Sequence, residues 1–349
     1  MHKLLRCSVL IAAGAALMPR GADAQVYPDR IAAKAHATAA AYTRRAREES
    51  RDEQTERTTK TFKLGSDGSL ELGNISGDIT VKRGGGSDAT VEIVKIAHGR
   101  DSSDSKAQLG LVTVDVTEST GRAEVKARYP SGNQHRNVNV SVDFNVTAPA
   151  GTRVTASSIS GSIRITEIKG DLSANTISGD VKISGASRIN AAHSISGSIE
   201  ISDVKTDGTI EAQTVSGDVR LRRIAAHRAG GGSVSGEITF EDLDCETASA
   251  KSTSGSIMMS GTLARHGHYE LKSFSGDVRL TLAGNTGFEI EANSFSGDVR
   301  SDFPITTHGT VDASGRRGKH QTILQGVYGD GSAVLHITTF SGSIVIGKK

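Results

Sequence analysis

A Ser-Gly-x motif recurs through most of the chain at an almost constant spacing, and this repeat constrains the fold more than any other feature. From Gly161 to Gly297 its glycines are 18 to 21 residues apart, and a further copy at Gly342 follows after 45 residues. An earlier copy stands at Gly77. A unit of roughly 19 residues holds two short strands and two turns, which is one coil of a β-solenoid. A propeller blade needs about 40 to 45 residues, so a propeller is excluded.

Each repeat carries the same residue pattern around its glycine. An apolar residue lies two positions before the glycine, with Thr253 as the exception, and an isoleucine or valine lies two positions after it. Three of the apolar residues are Phe274, Phe295 and Phe340, which we expect to form a buried stack. Glycine suits a corner that needs a positive φ or leaves no room for a β-carbon. The predicted structural turn residues are Gly77, Gly161, Gly179, Gly197, Gly217, Gly236, Gly255, Gly276, Gly297 and Gly342.

The rest of the chain divides by its hydrophobic pattern. Alternation with a period of two begins after Phe62 and predicts strands at 91–96, 111–116, 123–127 and 138–146. We therefore predict an all-β fold, a β-solenoid (β-helix or β-roll-like) of about ten coils of 18–21 residues, with a short N-terminal helical spacer. The predicted divisions are a signal peptide at 1–24, a charged helical or partly disordered spacer at 25–61, a β cap or first longer coils at 62–150, and the repeat β-solenoid at 151–349.

The predicted spacer contains a helical pattern at residues 29–60. Asp29 can cap the start of a helix, alanine-rich sequence follows, and a mixed-charge run extends from Arg44 to Glu53. The apolar stripe is too narrow to hold this helix firmly against a core. We interpret the segment as a solvated spacer, with a partner-binding helix as the alternative.

The first residues have the features of a secretory signal peptide. Lys3 and Arg6 precede a short apolar run at Cys7–Met18, and Ala22-Asp23-Ala24 is a cleavage signal, so the mature chain would begin at Gln25. The apolar run is too short to span a bilayer, and no later run of 18 or more apolar residues follows. We predict an exported protein of the periplasm or cell surface, without a transmembrane segment after cleavage.

Cleavage would also change the charge and the cysteine content. It removes three basic residues and one acidic residue from totals of 41 and 39, so the net charge falls from +2 to about zero. Without a basic field we expect no nucleic-acid partner. Cys245 would be the remaining cysteine, so no internal disulfide can form, and we expect its thiol to be buried. Aromatic residues make up 4% of the chain and tryptophan is absent, which argues against a compact, aromatic-rich enzyme core.

The motifs together resemble a known family. An early strand carries Asn74-Ile75-Ser76-Gly77-Asp78-Ile79, an alternating strand ends at Val146-Thr147-Ala148-Pro149-Ala150-Gly151, and Ser-Gly-Asp repeats follow. The C-terminal stretch 329–342 completes the pattern. Over residues 62–349 the chain is similar to exported bacterial β-strand-repeat proteins described as adhesins of unknown function. This resemblance implies a β-solenoid in the cell envelope and supplies no catalytic residues.

Two pairs of acidic residues on successive repeats are candidates for chemistry. Asp218 with Glu237, and Asp277 with Asp298, would lie on adjacent coils, and paired carboxylates can hydrolyse glycosides. The same acids could hold calcium, but the repeat lacks the glycine-rich calcium-binding pattern. We interpret them as turn residues on a solvated corner.

His266 and His268 form a second candidate cluster. Two histidines two residues apart could bind a metal on one face of a strand, but no third ligand with zinc spacing is evident. We interpret them as part of a surface turn. We therefore predict no catalytic residues, no metal site and no cofactor.

The sequence leaves three classes of function open. We predict a non-catalytic envelope protein, structural or adhesive through flat solenoid faces, with an envelope polysaccharide or a membrane or envelope protein as partner. The alternative is a regulatory or sensory partner of a membrane complex, in which the charged helix makes the contact. A polysaccharide-active enzyme is the third class.

Overall fold

Most of the residues that the structure describes lie in strands. The computed structural model describes residues 53–130, 138–307 and 322–349. Elements of the N-terminal part are β1 (Glu53–Lys63), β2 (Ser69–Ser76), β3 (Ile79–Arg83), β4 (Asp88–His98), α1 (Ser102–Leu109), β5 (Thr113–Ser119), β6 (Arg122–Arg128) and β7 (Val140–Ala148). Strands of the central repeats are β8 (Arg153–Ser160), β9 (Ile163–Thr166), β10 (Asp171–Ser178), β11 (Val181–Ser184), β12 (Arg188–Ser196), β13 (Ile199–Lys205), β14 (Thr209–Ser216), β15 (Val219–Ser235), β16 (Ile238–Ser254) and β17 (Ile257–Ser275). The last strands are β18 (Val278–Ala283), β19 (Phe288–Ser296), β20 (Val299–Ser301), β21 (Thr306–Thr307), β22 (Thr322–Tyr328), β23 (Ala333–Ser341) and β24 (Ile344–Lys348).

Successive central repeats stack in parallel. Strand β10 pairs with β8 on one side and β12 on the other, and β11 pairs in the same way with β9 and β13. Each residue lies opposite the equivalent residue of the next repeat, as Thr176 lies opposite Ser158 and Ser194. The shared period produces this register, because a shift by one residue would turn every apolar side chain outward. The all-β class and the repetitive stacking predicted from the sequence are confirmed.

The core consists of columns of inward side chains that continue from repeat to repeat. The column two positions after each glycine is fully buried from Ile79 through Ile163 and Val181 to Ile257 and Ile344. Alanines and leucines of the preceding strands, such as Ala174 and Leu271, face this column and are equally buried. One repeat could not bury its apolar row alone, so each repeat depends on its neighbours for stability.

At the N-terminal end, the first repeat lies inside the stack. Strands β2 and β3 pair in parallel with β8 and β9 on one side, and with β6 and β7 on the other. Antiparallel strands then close the end, since β4 pairs with β7, β1 with β4, and β5 with β6. The chain thus returns over its own first repeat to cover it.

At the C-terminal end, the order of the repeats in space differs from their order in the sequence. Strand β23 lies between β17 and β19, and β24 lies between β18 and β20, with all four pairings parallel. The last repeat of the chain is therefore inserted between the two repeats that precede it. We call residues 333–348 the inserted repeat. The antiparallel strand β22 covers the outer edge of β19, and β21 pairs with β22.

The predicted N-terminal spacer requires a correction. Residues 53–61, assigned to a charged helical spacer, lie in β1, which pairs along its whole length with β4. The segment Glu53–Lys63 contains four threonines, whose β-branched side chains favour a strand, and it buries only Phe62. The predicted signal peptide and the rest of the spacer, residues 1–52, lie outside the described residues. The domain boundaries remain predictions.

The sequence analysis did not predict the helix α1. The side chain of Asp101 caps it by accepting a hydrogen bond from the backbone N–H of Asp104. Within the described part of the chain, no helix is long and apolar enough to cross a membrane.

Candidate functional site

The ten predicted turn glycines lie in one column at a corner of the stack. From the N-terminal end the column runs Gly77, Gly161, Gly179, Gly197, Gly217, Gly236, Gly255, Gly276, Gly342, Gly297. In nine of them φ lies between 109° and 159°, Gly255 being the exception. A β-carbon on any of the nine from Gly161 onward would overlap the carbonyl oxygen of the glycine before it in the column. The corner therefore excludes side chains, because adjacent backbones meet there.

A column of buried serines and threonines lies three positions before the glycines. Each of these hydroxyls except that of Ser158 donates a hydrogen bond to the glycine carbonyl of the preceding coil, as Thr214 does to Gly197 at 2.9 Å. Thr339 donates to Gly276, and Ser294 donates to Gly342, at 3.0 and 2.8 Å. These bonds follow the order in space rather than the order in the sequence. They satisfy carbonyl groups that the corner would otherwise leave without a partner.

The acidic residues that follow the glycines bond to the backbone of the next coil. The carboxylate of Asp218 accepts a hydrogen bond from the backbone N–H of Glu237 at 2.9 Å. Asp277 was predicted to lie on a coil adjacent to that of Asp298, and this is wrong. Its carboxylate accepts from the backbone N–H of Ser343 at 2.7 Å, because the inserted repeat separates the two acids.

An exposed row of mainly apolar side chains runs along the same corner. It lies two positions before each glycine from Gly161 onward, and we call it the apolar ladder; Ile75, at the equivalent position before Gly77, is half-buried and is not part of it. In stacking order it contains Ile159, Ile177, Ile195, Val215, Val234, Thr253, Phe274, Phe340 and Phe295. The eight apolar members are between 40% and 58% exposed. The ladder faces outward because the serine or threonine before each member points into the core.

The three phenylalanines of the ladder were predicted to be buried, and this is wrong. They form an exposed stack, with Phe274 and Phe340 at 4.9 Å and 1°, and Phe340 and Phe295 at 4.6 Å and 6°. Parallel in-register strands hold equivalent residues about 4.8 Å apart, which sets this ring spacing. The ring faces contact one another, so the stack presents mainly ring edges to solvent.

A shallow groove runs beside the apolar ladder. Near the phenylalanines it has a volume of about 410 Å³, and Lys251, Lys272, Asn293 and Thr338 line it opposite the rings. A second stretch of about 440 Å³ continues past Gly232, where the wall has no side chain, and it also reaches Lys251. Ladder and groove thus form a ridge and a neighbouring depression that extend over the same repeats.

Two lysines beside the groove share one carboxylate partner. Glu270 pairs with Lys272 and, at 3.1 Å, with Lys251. Hydrogen bonds from Lys272 and Lys251 lower the pKa of Glu270 to about 2. Lys251, Lys272 and Glu270 together therefore keep a single net positive charge.

The histidine pair of the sequence analysis lies near the C-terminal closure. His266 has a φ of 61°, and its backbone N–H donates to the carbonyl of Ser332 at 2.8 Å. The His268 ring lies 5.3 Å from the ring of His336, whose Nδ1 is 3.4 Å from Glu291. No cluster of three or more potential metal-ligating side chains occurs among the residues that the structure describes.

Cys245 is buried, as predicted, and it lies beside a buried tyrosine. Burial, followed by the charge of Asp244, raises the pKa of the Cys245 thiol to about 12. The Tyr269 hydroxyl donates to the Cys245 carbonyl at 2.7 Å and accepts from the backbone N–H of Ala264 at 2.8 Å. Surrounding residues enclose both side chains, so neither the Cys245 thiol nor the Tyr269 hydroxyl is available as a nucleophile.

Burial of two tyrosines predicts a loss of stability at high pH. It raises the pKa of both Tyr129 and Tyr269 to about 12. In the unfolded chain the phenol ionises near pH 10, so the folded state retains these protons more tightly, and stability falls as the pH rises from about 10 to about 12. We expect a phenolate absorbance titration to show two late-ionising tyrosines, and Tyr269→Phe to remove one. Ionisation of all tyrosines near pH 10 in the folded protein would contradict this expectation.

The stacked strands, the backbone-bonded corner and the exposed ladder define a class of repetitive all-β proteins. The chain belongs to the Toastrack DUF4097 family, whose model matches residues 162–346. This match confirms the resemblance predicted from the motifs. The search of curated proteins found no match.

Solved structures similar to this chain bear names that refer to adhesion. A "putative adhesin" from Bacteroides fragilis is 12% identical, with coverage of 84% of this chain and 97% of that one and a TM-score of 0.40. A "putative cell adhesion protein" from Clostridium sporogenes is 14% identical, with coverage of 85% and 100% and a TM-score of 0.22. A "putative adhesin" from Parabacteroides merdae is 11% identical, with coverage of 83% and 96% and a TM-score of 0.39.

Proposed function

We propose that this chain is a non-catalytic protein of the bacterial cell envelope, exported to the periplasm or cell surface, with a structural or adhesive role. It acts by contact through the flat faces of a β-solenoid of about ten coils, with an envelope polysaccharide or a membrane or envelope protein as its partner. The observation that carries this proposal is the apolar ladder. The column of ten corner glycines supports the number of coils.

The size of the apolar ladder supports a contact function. Isolated apolar side chains are common on protein surfaces, but contiguous apolar patches beyond a few hundred Å² mark interaction sites. Eight apolar side chains that are each about half exposed lie in one row, and three are phenylalanines. Alternation along each strand turns these residues outward, while the serine or threonine before each of them is buried.

The role of the acidic residues supports a non-catalytic protein. The carboxylates of Asp180, Asp218 and Asp277 each accept a hydrogen bond from the backbone N–H of the next coil. Glycoside hydrolysis needs two carboxylates that face one bond of a bound sugar. Acids that tie successive coils together serve the fold, so Asp180, Asp218 and Asp277 are explained without chemistry.

Co-sedimentation tests the proposal. The chain beginning at Gln25 is mixed with purified cell-wall sacculi and, separately, with outer-membrane vesicles. We expect saturable binding to at least one, and a binding loss of at least about tenfold for the double variant Ile177→Asp and Ile195→Asp, because buried carboxylates oppose an apolar contact. Leu111→Asp is the matched control, since Leu111 is 45% exposed and lies outside the ladder. The proposal would be refuted if the chain bound saturably to neither material, or if the ladder variant bound as well as the wild type.

A further inference from the structure

We propose that the apolar ladder is the contact surface between two copies of this chain, which pack antiparallel about a two-fold axis at Val234. This inference rests on the proposed contact function: the dimer presents the faces opposite the ladder twice, so a ladder variant that cannot dimerise loses envelope binding through lost avidity. It rests on four observations. These are the area of the ladder, the change from isoleucines at one end to phenylalanines at the other, the groove beside it, and the absence of features complementary to other ligands.

The area of the ladder matches that of a protein interface. Its eight apolar members are 40% to 58% exposed. An aromatic side chain presents about 150–250 Å² and aliphatic ones somewhat less, so the ladder exposes on the order of 700 Å². A stable interface of standard size buries about 800 Å² on each partner, whereas a monomer rarely exposes a patch this large.

The order of side chains along the ladder favours an antiparallel arrangement. One end consists of isoleucines, the other of phenylalanines, and Val234 is the fifth of the nine positions. A two-fold axis at Val234 places each phenylalanine opposite an isoleucine of the other copy, for example Phe340 opposite Ile177. A parallel arrangement would place ring against ring at one end and leave the smaller side chains apart at the other. Even packing across an interface therefore requires the antiparallel orientation.

The groove beside the ladder gives the surface its self-complementary shape. Its two stretches lie against the Phe274 and Val234 portions of the ladder, and both are lined by Lys251. In an antiparallel pair the ladder of each copy faces the groove of the other. With the axis at Val234, Phe274 of one copy lies opposite Ile195 of the other, beside the stretch of groove that His193 and Gln213 line.

Other ligand classes find less complementary chemistry on this surface. Sugars stack on exposed ring faces, whereas these rings cover each other's faces at 4.6 and 4.9 Å. An anionic lipid surface requires unpaired basic groups, whereas Lys251 and Lys272 both pair with Glu270. The ladder of a second copy is apolar and has the same spacing between successive side chains, so it matches this surface best.

A charge-reversal pair at Val234 tests both the dimer and its symmetry. Val234 is 50% exposed, so a charged residue there does not enter the core. In sedimentation equilibrium of the chain purified after export, we expect a dimer at about 50 µM. Val234→Glu and Val234→Arg, each alone, raise the dissociation constant at least about 100-fold, because two like charges meet on the axis. Mixing the two variants restores a heterodimer. Leu111→Glu, the matched control, sediments like the wild type.

Each other outcome overturns the inference. A monomeric wild type, a dimer unaffected by Val234→Glu, or equal weakening by Leu111→Glu would exclude the ladder as the dimer contact. Failure of the mixed variants to associate would exclude the two-fold axis at Val234. Envelope binding by a monomeric wild type would overturn this inference and leave the proposed function standing. A dimer without envelope binding would overturn the proposed function alone, since the faces opposite the ladder stay exposed in the dimer.

Discussion

Replacing Gly236 with alanine is expected to lower the free energy of unfolding by about 3 kcal/mol or more. A β-carbon at this position would overlap the carbonyl oxygen of Gly217, and φ is 157°. The overlapping atom belongs to the backbone, so the overlap can be relieved only if the two coils move apart. Separation would also weaken the hydrogen bond from the Ser233 hydroxyl to the Gly217 carbonyl, which measures 3.0 Å. Urea unfolding followed by circular dichroism measures the change.

Gly230 provides the matched control for this prediction. It lies in β15, the strand that ends just before Gly236, and an added β-carbon there would meet nothing closer than Glu211 Cγ at 3.6 Å. Gly230→Ala should therefore change the stability by less than about 1 kcal/mol, in the stabilising direction, because alanine restricts the unfolded chain. Equal effects of the two substitutions would show that the corner column does not restrict side chains as described.

The inserted repeat predicts which engineered cysteines will form a disulfide. Lys272 lies directly opposite Thr338, and Thr338 lies opposite Asn293. We expect Lys272→Cys with Thr338→Cys to oxidise almost completely, because neighbouring parallel positions lie about 4.8 Å apart, within the range of a disulfide. Lys272→Cys with Asn293→Cys should not oxidise, since two rungs separate the pair by roughly 10 Å.

This pair of variants separates two arrangements of the same strands. If the repeats stacked in sequence order, the repeat that contains Asn293 would follow the one that contains Lys272, and the second pair would cross-link instead. The amount of free thiol after mild oxidation, measured on the chain from Gln25, gives the answer. The thiol of Cys245 does not interfere, because burial raises its pKa to about 12 and keeps it protonated.

The repeat period was enough to predict how most coils stack. An interval of 18 to 21 residues with buried branched residues at constant offsets leaves parallel, in-register pairing as the arrangement that aligns every apolar column. The glycine positions were equally predictable, since each interrupts an apolar pattern at the same place. Both results follow from local chemistry that is repeated in every coil.

The sequence analysis missed the exposure of the ladder because it predicted burial from residue type and not from alternation along the strand. Counting inward from Val154 and Ala156, a period of two makes Ser158 the next buried residue and turns Ile159 outward. The structure follows this count, and Ile159 is 47% exposed. Strict alternation was therefore a usable signal for the ladder, although it required placing a serine inside the core.

The spatial order of the coils at the C-terminal end could not be predicted from the repeated sequence motif. Equivalent residues occur at each offset in all copies, so the edges of one repeat match those of any other. The antiparallel strand β22 decides the order by covering the outer edge of β19, and Thr322 on β22 donates a hydrogen bond to the carbonyl of Gly297 at 3.0 Å. Such closure depends on contacts between distant segments, which a local pattern does not encode.

The inserted repeat also has a consequence for the timing of folding. Ribosomes deliver a chain from its N-terminus, so β19 and β20 emerge before the strands that will separate them from β17 and β18. Contacts such as that between Ser343 and Asp277 span 66 residues, which makes the last step slow compared with adding a coil at an end. Until the inserted repeat is in place, the stack contains an open slot of the size of one repeat between β17 and β19. A second chain in the same state carries the segment that fits this slot, so domain swapping competes with completion of the fold.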